Sequence, residues 1–129
     1  KDIAILTFGH PGNFAAAAIR DVKGEGINPA HYDMRFVKPL DEKMLHEVFT
    51  SYHKVITVED GTVVGGFGSA ILEFMNEHGY KADVKIMGIP DRLVEHGSPK
   101  QLYDEIGIDA NGIAAAIREM VHSTELVAK

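Results

Sequence analysis

The chain has 129 residues, of which 45% are hydrophobic and 25% are charged, and its formal net charge is -6. Length and composition of this kind indicate one globular domain of ordinary size. The acidic balance argues against nucleic acid as a partner, because nucleic-acid binding needs a concentrated basic surface. The absence of cysteine excludes a disulfide framework and a thiolate site, and it is typical of a reducing compartment such as the cytoplasm.

The ends of the chain and its longest apolar stretches bear on targeting. No apolar stretch approaches the ~20 residues that cross a bilayer, and the start of the chain lacks a signal-peptide pattern. We therefore expect no membrane partner. The chain opens on Lys1 without an initiator Met and enters an apolar run at once, which suggests a piece of a longer protein.

Four short runs have the composition of strands, and three of them have the near-continuous apolar centres of buried parallel strands. They are "DIAILTFG" (2–9), "NPAHYDMRFV" (28–37), "HKVITVED" (53–60) and "ADVKIMGI" (82–89). The segments between them show the apolar spacing of helices.

The predicted helices have readable ends. The first follows "HPGN" and stops at Gly24 and Gly26, and the second starts at Asp41, which is a good N-cap. The third ends at Gly79, where a left-handed cap is needed. A short fourth helix is predicted over 98–107 and a last one after Asp109, with a frayed tail over 123–129.

Strands and helices that alternate in this way predict a three-layer α/β/α domain over residues 1–122, with a doubly wound, mostly parallel sheet. Right-handed crossovers leave few topologies, and the simplest strand order is 2-1-3-4. Such a sheet binds ligands in a crevice at the carboxyl ends of its strands, where the order switches. The candidate crevice residues are Gly9, His10, Gly12, Arg35, Glu59, Asp60, Gly65, Gly66, Gly68 and Arg92.

The glycine-rich turn "GGFGS" at 65–69 lies at this crevice and could hold a phosphate on a helix N-terminus. It fails the dinucleotide fingerprint because Ile71 occupies the third glycine position, and the chain has no Gly-Lys-Ser/Thr triplet of a Walker loop. The favoured interpretation is that Gly65, Gly66 and Gly68 allow a sharp turn and a close approach of the helix to the sheet.

The ionisable residues leave two chemical alternatives open. His10 lies at the crevice, where it could act as a general acid or base, whereas we expect most of the seven histidines to be surface or capping residues. Glu59 and Asp60 could form a carboxylate pair or bind magnesium, but adjacent acids at a strand end more often cap the following turn. From these residues alone, the chain is a scaffold with a crevice and no complete chemistry.

Two motifs carry a resemblance to a known family: "RFVKPLD" at 35–41, and "VED" at 58–60 followed four residues later by "GGFGS". With the flanking segments they resemble the carboxyl-terminal domain of the transketolase-like thiamine diphosphate enzymes, over residues 2–121. The last segment, with "GIPD", "HGS" and "LYDEIGID", resembles the 1-deoxy-D-xylulose-5-phosphate synthase branch in particular. Transketolase itself and the beta subunit of 2-oxoacid dehydrogenases are the alternative branches.

The resemblance implies a parent transferase that joins pyruvate to D-glyceraldehyde 3-phosphate with loss of carbon dioxide, for isoprenoid, thiamine and pyridoxal biosynthesis. It also implies a cytoplasmic homodimer that binds thiamine diphosphate and magnesium through two upstream domains, which bind the pyrimidine and the diphosphate. The family's Gly-Asp-Gly motif is absent here, because "EDG" at 59–61 has Glu first, and position 90, near where an Asn is needed, is Pro. We therefore expect this chain to bind no cofactor and to have no catalytic residue and no metal ligand.

Three roles for such a domain stay open. It supports the dimer and packs on the pyrimidine-binding domain, it binds a regulatory ligand in the crevice, or one of His10, Arg35 and Arg92 reaches the substrate phosphate of a neighbouring domain. The resemblance also implies an antiparallel edge strand from the segment before residue 1. Without that strand, one edge of the predicted sheet is left partly unpaired.

Overall fold

The computed structural model of the chain describes residues 3–8, 12–34, 41–59, 66–88 and 110–127. Within these ranges four strands alternate with helices, and the last strand is followed by a fourth helix. The elements are β1 (Ile3–Phe8), α1 (Gly12–Lys23), β2 (Pro29–Met34), α2 (Glu42–Ser51), β3 (Lys54–Glu59), α3 (Gly66–Glu77), β4 (Asp83–Gly88) and α4 (Ala110–Val127).

The strands form one sheet in the order β2-β1-β3-β4, and every neighbouring pair is parallel. The predicted order is therefore confirmed. The predicted starts of β2, β3 and β4 are one residue too early, which is within the usual uncertainty of strand ends. The predicted short helix at 98–107 lies outside the described residues.

Side chains that alternate along the strands divide the core into two layers. One layer contains Ile3 and Ile5 of β1 and packs against α1 and α4, and the other contains Ala4 and Leu6 and packs against α2 and α3. Because β1 is buried on both faces, its apolar run is continuous. The predicted α/β/α layering is confirmed.

Polar contacts fasten α4 over the first of these layers. The guanidinium of Arg118 donates to both oxygens of Glu25 at 2.6 to 2.9 Å, and Lys54 Nζ donates to the carbonyl of Val121 at 2.9 Å. The hydrogen bond from Arg118 lowers the pKa of the Glu25 carboxyl. Helix α4 runs on to Val127, and the domain boundary at residue 122 with a frayed tail stays a prediction.

Three helix ends are set by single residues whose roles can be recognised in the sequence. The carboxylate of Asp41 accepts the N–H of Met44 at 3.1 Å, so the predicted N-cap of α2 is confirmed. Gly26 and Gly79 have φ of +86° and +73°, and each starts a left-handed cap after its helix. In both caps the next residue donates to a carbonyl five residues earlier, Ile27 to Val22 and Tyr80 to Met75.

Gly68 lets α3 approach β4 closely, as predicted for the glycine-rich turn. A Cβ at this position would lie 2.7 to 2.8 Å from three side-chain carbons of Ile86. Real Cβ atoms do not come this close, so any larger residue moves the helix or the strand side chain.

Among the described helices none is long and apolar enough to cross a membrane.

We predict that Gly68→Ala destabilises the domain, although Ala is the better helix former by roughly 1 kcal/mol. The overlap with Ile86 outweighs that gain, since overpacking typically costs about 1 to 3 kcal/mol. In an Ile86→Ala background the same substitution becomes stabilising, because the overlap is gone. Urea unfolding of the four chains measures this change of sign.

Gly24→Ala is the matched control, because its Cβ would meet the carbonyl of Asp21 at an ordinary 3.6 Å. Equal effects of Gly68→Ala with and without Ile86 contradict the close-approach explanation.

Candidate functional site

The carboxyl ends of β1 and β3 meet at the edge of the sheet where the strand order switches, and α1 and α3 begin there. Four of the predicted crevice residues are among the described ones: Gly12, Glu59, Gly66 and Gly68. The other six lie outside the described residues: Gly9, His10, Arg35, Asp60, Gly65 and Arg92. The structure brings Glu59 and Gly68 into direct contact.

Glu59 is the last residue of β3, and its side chain is buried, with 2% of the residue exposed. Its Oε2 accepts the backbone N–H of Phe67 at 3.1 Å, and its Oε1 accepts that of Gly68 at 3.2 Å. These N–H groups belong to the first turn of α3, where no carbonyl of the helix can accept them. The carboxylate is therefore held by two hydrogen bonds at the positive end of a helix dipole.

The strand pattern explains why Glu59 points this way. Every second residue of β3 faces α2 and α3, so Val55 and Thr57 precede Glu59 on that face. Phe8, opposite Glu59 in the sheet, stacks on Phe67 with ring centroids 5.6 Å apart. The carboxylate is thus enclosed by aromatic rings and backbone, and without its two donors its burial would be costly.

This contact favours the interpretation of the glycine-rich turn as a packing feature over a phosphate site. The N–H groups of Phe67 and Gly68, which a bound phosphate would use, already donate to Glu59. The chain supplies its own anion to the N-terminus of α3. Glu59 therefore caps the first turn of α3, which agrees with the capping interpretation of this residue.

A second polar cluster lies near the same edge, on the opposite face of the sheet, and the sequence analysis missed it. The hydroxyl of Thr7 is 2.9 Å from Nε2 of His31 and donates to Oδ1 of Asp33 at 3.4 Å. Thr7 is fully buried, His31 is half-buried and Asp33 is exposed. The available signal was the alternation in "AHYDM", which places His31 and Asp33 on one face of β2.

The pKa of His31 lies below its ordinary value. Partial burial lowers this pKa because it disfavours the charged ring, and the carboxylate of Asp33 opposes the shift. The imidazole is therefore mainly neutral at pH 7.

The other histidines do not form a metal centre within the described ranges, where no three metal-ligating side chains come together. His46 departs from the expected surface role, because its Nδ1 is 2.6 Å from the hydroxyl of Tyr80 and its ring packs edge-on against Phe74.

An open groove of about 440 Å³ lies at the amino ends of β3 and β4. It is lined by His53, Met75, Tyr80, Lys81, Ala82 and Asp83.

Comparison with protein families gives one assignment that covers most of the chain. Residues 1–113 match the model of the transketolase C-terminal domain. The chain belongs to this family. The sequence-based identification of the transketolase C-terminal domain is therefore confirmed, and the parallel sheet described above is the scaffold of this family member.

Curated relatives of this transketolase C-terminal domain are named 1-deoxy-D-xylulose-5-phosphate synthase. The protein from Cytophaga hutchinsonii is 53% identical over 119 residues, which cover 92% of this chain and 19% of the relative. The protein from Parabacteroides distasonis is 50% identical over 118 residues, with the same two coverages. The chain thus spans about a fifth of the length of the curated relatives that it matches.

A solved structure with the same fold is described as a split gene transketolase in an inactive beta4 tetramer. It is 30% identical to this chain and superposes with a TM-score of 0.83. The superposition covers 95% of this chain and 40% of that one.

We predict that Glu59→Gln lowers the free energy of unfolding by about 2 kcal/mol or more, since hydrogen bonds to charged groups contribute roughly 1.5 to 3 kcal/mol each. A side-chain amide can accept only one of the two N–H groups and turns its own donor toward the other. Urea unfolding measures the loss. Glu73→Gln, on the exposed face of α3, is the matched control and should change stability by less than about 0.5 kcal/mol. If the Glu59→Gln chain is as stable as this control, the two hydrogen bonds of Glu59 do not stabilise the fold as proposed.

We also predict a pH effect at His31. Its folded-state pKa is below the unfolded value of about 6.5, so the unfolded chain binds the proton more readily. The contribution of neutral His31 to stability is thus present above about pH 6.5 and is lost as the pH falls toward the folded pKa.

Urea unfolding at pH 7.5 and 5.5 tests this for the native chain and His31→Gln. The stability difference between native chain and variant should shrink or change sign at the lower pH. His53→Gln is the control for replacing an exposed histidine. A difference that is the same at both pH values refutes the assignment.

Proposed function

We propose that this chain acts as the third, carboxyl-terminal domain of a 1-deoxy-D-xylulose-5-phosphate synthase. The observation that carries the proposal is the 53% identity to a protein of that name over 92% of the chain, with only 19% of that relative covered. A domain so similar to one part of a larger enzyme serves the same enzyme in the simplest interpretation. The transketolase alternative is weaker, because the transketolase structure is 30% identical.

In this proposal the parent joins pyruvate to D-glyceraldehyde 3-phosphate and releases carbon dioxide, and thiamine diphosphate, when bound, would supply the electron sink for the decarboxylation. The described residues do not fit a diphosphate site. The first-turn N–H groups of α3 are already bound by Glu59, and no three metal-ligating side chains of the described part come together. We therefore assign no step of the reaction to them, and place cofactor and magnesium in the upstream domains.

The role that we propose for the domain is structural. Its helices would pack on the pyrimidine-binding domain and support a homodimer in the cytoplasm. The description of the related split transketolase as an inactive tetramer of one subunit type supports a part that assembles without catalysing. A regulatory anion at the N-terminus of α3 is not favoured, because Glu59 already accepts the N–H groups of Phe67 and Gly68.

A domain exchange tests the proposal. The C-terminal domain of the Cytophaga hutchinsonii synthase is replaced by this chain, and product formation is measured from pyruvate with glyceraldehyde 3-phosphate. We expect kcat/KM within about tenfold of the parent, which corresponds to roughly 1.4 kcal/mol of barrier. The parent without its third domain, and this chain alone, should be inactive.

Two outcomes contradict the proposal. One is a well-folded dimeric chimera that is inert with these substrates or that instead converts ribose 5-phosphate and xylulose 5-phosphate. The other is micromolar binding of thiamine diphosphate by the isolated chain in calorimetry.

A further inference from the structure

In the cluster of Thr7, His31 and Asp33, one hydroxyl contacts both of the other side chains. A threonine hydroxyl has one proton, and that of Thr7 is donated to Asp33. The 2.9 Å contact with Nε2 of His31 is satisfied at the same time when the hydroxyl oxygen accepts, and the neutral imidazole that fits both contacts has its proton on Nε2. It follows that Nδ1 of His31 carries a lone pair, and no described side chain donates a hydrogen bond to it.

The cluster therefore offers acceptors to its surroundings. Thr7 is fully buried and cannot reach a ligand, whereas His31 is half-buried and Asp33 is exposed. The two side chains lie on the same face of β2 because they are two residues apart in a strand. Thr7 contacts both of them and fixes their orientation, as an outer partner does for a metal-binding or catalytic histidine.

The charge of the cluster selects the kind of ligand. A carboxylate beside a neutral ring nitrogen repels anions and lacks a donor for a neutral acceptor. A planar guanidinium or an ammonium group can donate to both sites at once and balances the carboxylate. Two protein ligands make a poor metal site, and the described residues add no third.

We propose that Nδ1 of His31 and the carboxylate of Asp33 form a binding site for a cationic hydrogen-bond donor of the guanidinium or ammonium type. The cation could come from a small molecule or from an Arg or Lys side chain of an adjoining domain, and the chemistry of recognition is the same. The site is on the opposite face of the sheet from Glu59. It does not depend on the proposed synthase activity.

The first experiment uses the isolated chain and methylguanidinium chloride as the probe. The ring protons of His31, assigned by their loss in His31→Gln, are followed by NMR during titration at constant ionic strength. Bound cation disfavours the imidazolium, so we expect saturable shifts and a lower His31 titration midpoint. Tetramethylammonium has the same charge and no N–H donor, and it should produce neither effect.

Asp33→Asn tests the carboxylate, because Asn still accepts the hydroxyl of Thr7 but has no charge. We expect methylguanidinium to bind roughly two- to fivefold more weakly, which is the range for an exposed ion pair. Asp21→Asn, an exposed carboxylate on α1, is the matched control and should bind as the native chain does. Equal shifts with both cations, or no effect of Asp33→Asn, overturn the proposal.

A second experiment distinguishes the two sources of the cation. Diethyl pyrocarbonate modification of His31 is quantified by peptide mass spectrometry in the isolated chain and in the domain-exchange chimera. Several-fold protection in the chimera that is lost in Asp33→Asn indicates a side chain of an adjoining domain. Equal modification of both proteins, with protection by methylguanidinium in each, indicates a small molecule. Equal modification of both proteins without protection by methylguanidinium overturns the site. An inactive chimera contradicts the proposed function, but it does not affect the NMR titration, which uses the isolated chain.

Discussion

The organisation of this edge of the sheet depends on one buried carboxylate. Glu59 ends β3 and accepts two N–H groups from the first turn of α3, so the strand and the next described helix are joined by two hydrogen bonds. A charge buried to this extent is tolerated only with such partners. Because the interaction needs both the strand end and the helix start, it fixes the direction in which α3 leaves the sheet and lets Gly68 pack against β4.

Because of this interaction, the two sides of the edge differ in the polar groups that they leave available to a ligand. On the α3 side the natural anion-binding position is filled from within the chain. On the α1 side Thr7 forms hydrogen bonds with His31 and Asp33. His31 is half-buried and Asp33 is exposed. At an edge where such folds commonly bind ligands, the described residues of this chain thus present hydrogen-bond acceptors.

Much of the fold follows from local sequence. The strand order, the N-cap at Asp41 and the left-handed cap at Gly79 were predictable because each depends on periodicity or on one residue's conformational preference. The partner of Glu59 was not, because its donors are eight and nine residues away and their approach depends on packing. The His31 cluster also needed the register of two strands, in which Thr7 is opposite Asp33.

The position of α4 has a consequence for the order of assembly. Among the described residues, those that form the layer between the sheet and helices α2 and α3 all lie at or before Val84 in the sequence. The layer beneath α1 also contains Ile113, Ile117 and Met120 of α4, which come after all four strands in the sequence. A nascent chain can therefore close one side of its sheet while the other side still exposes Ile3 and Ile5. During translation that face is the one most in need of a chaperone.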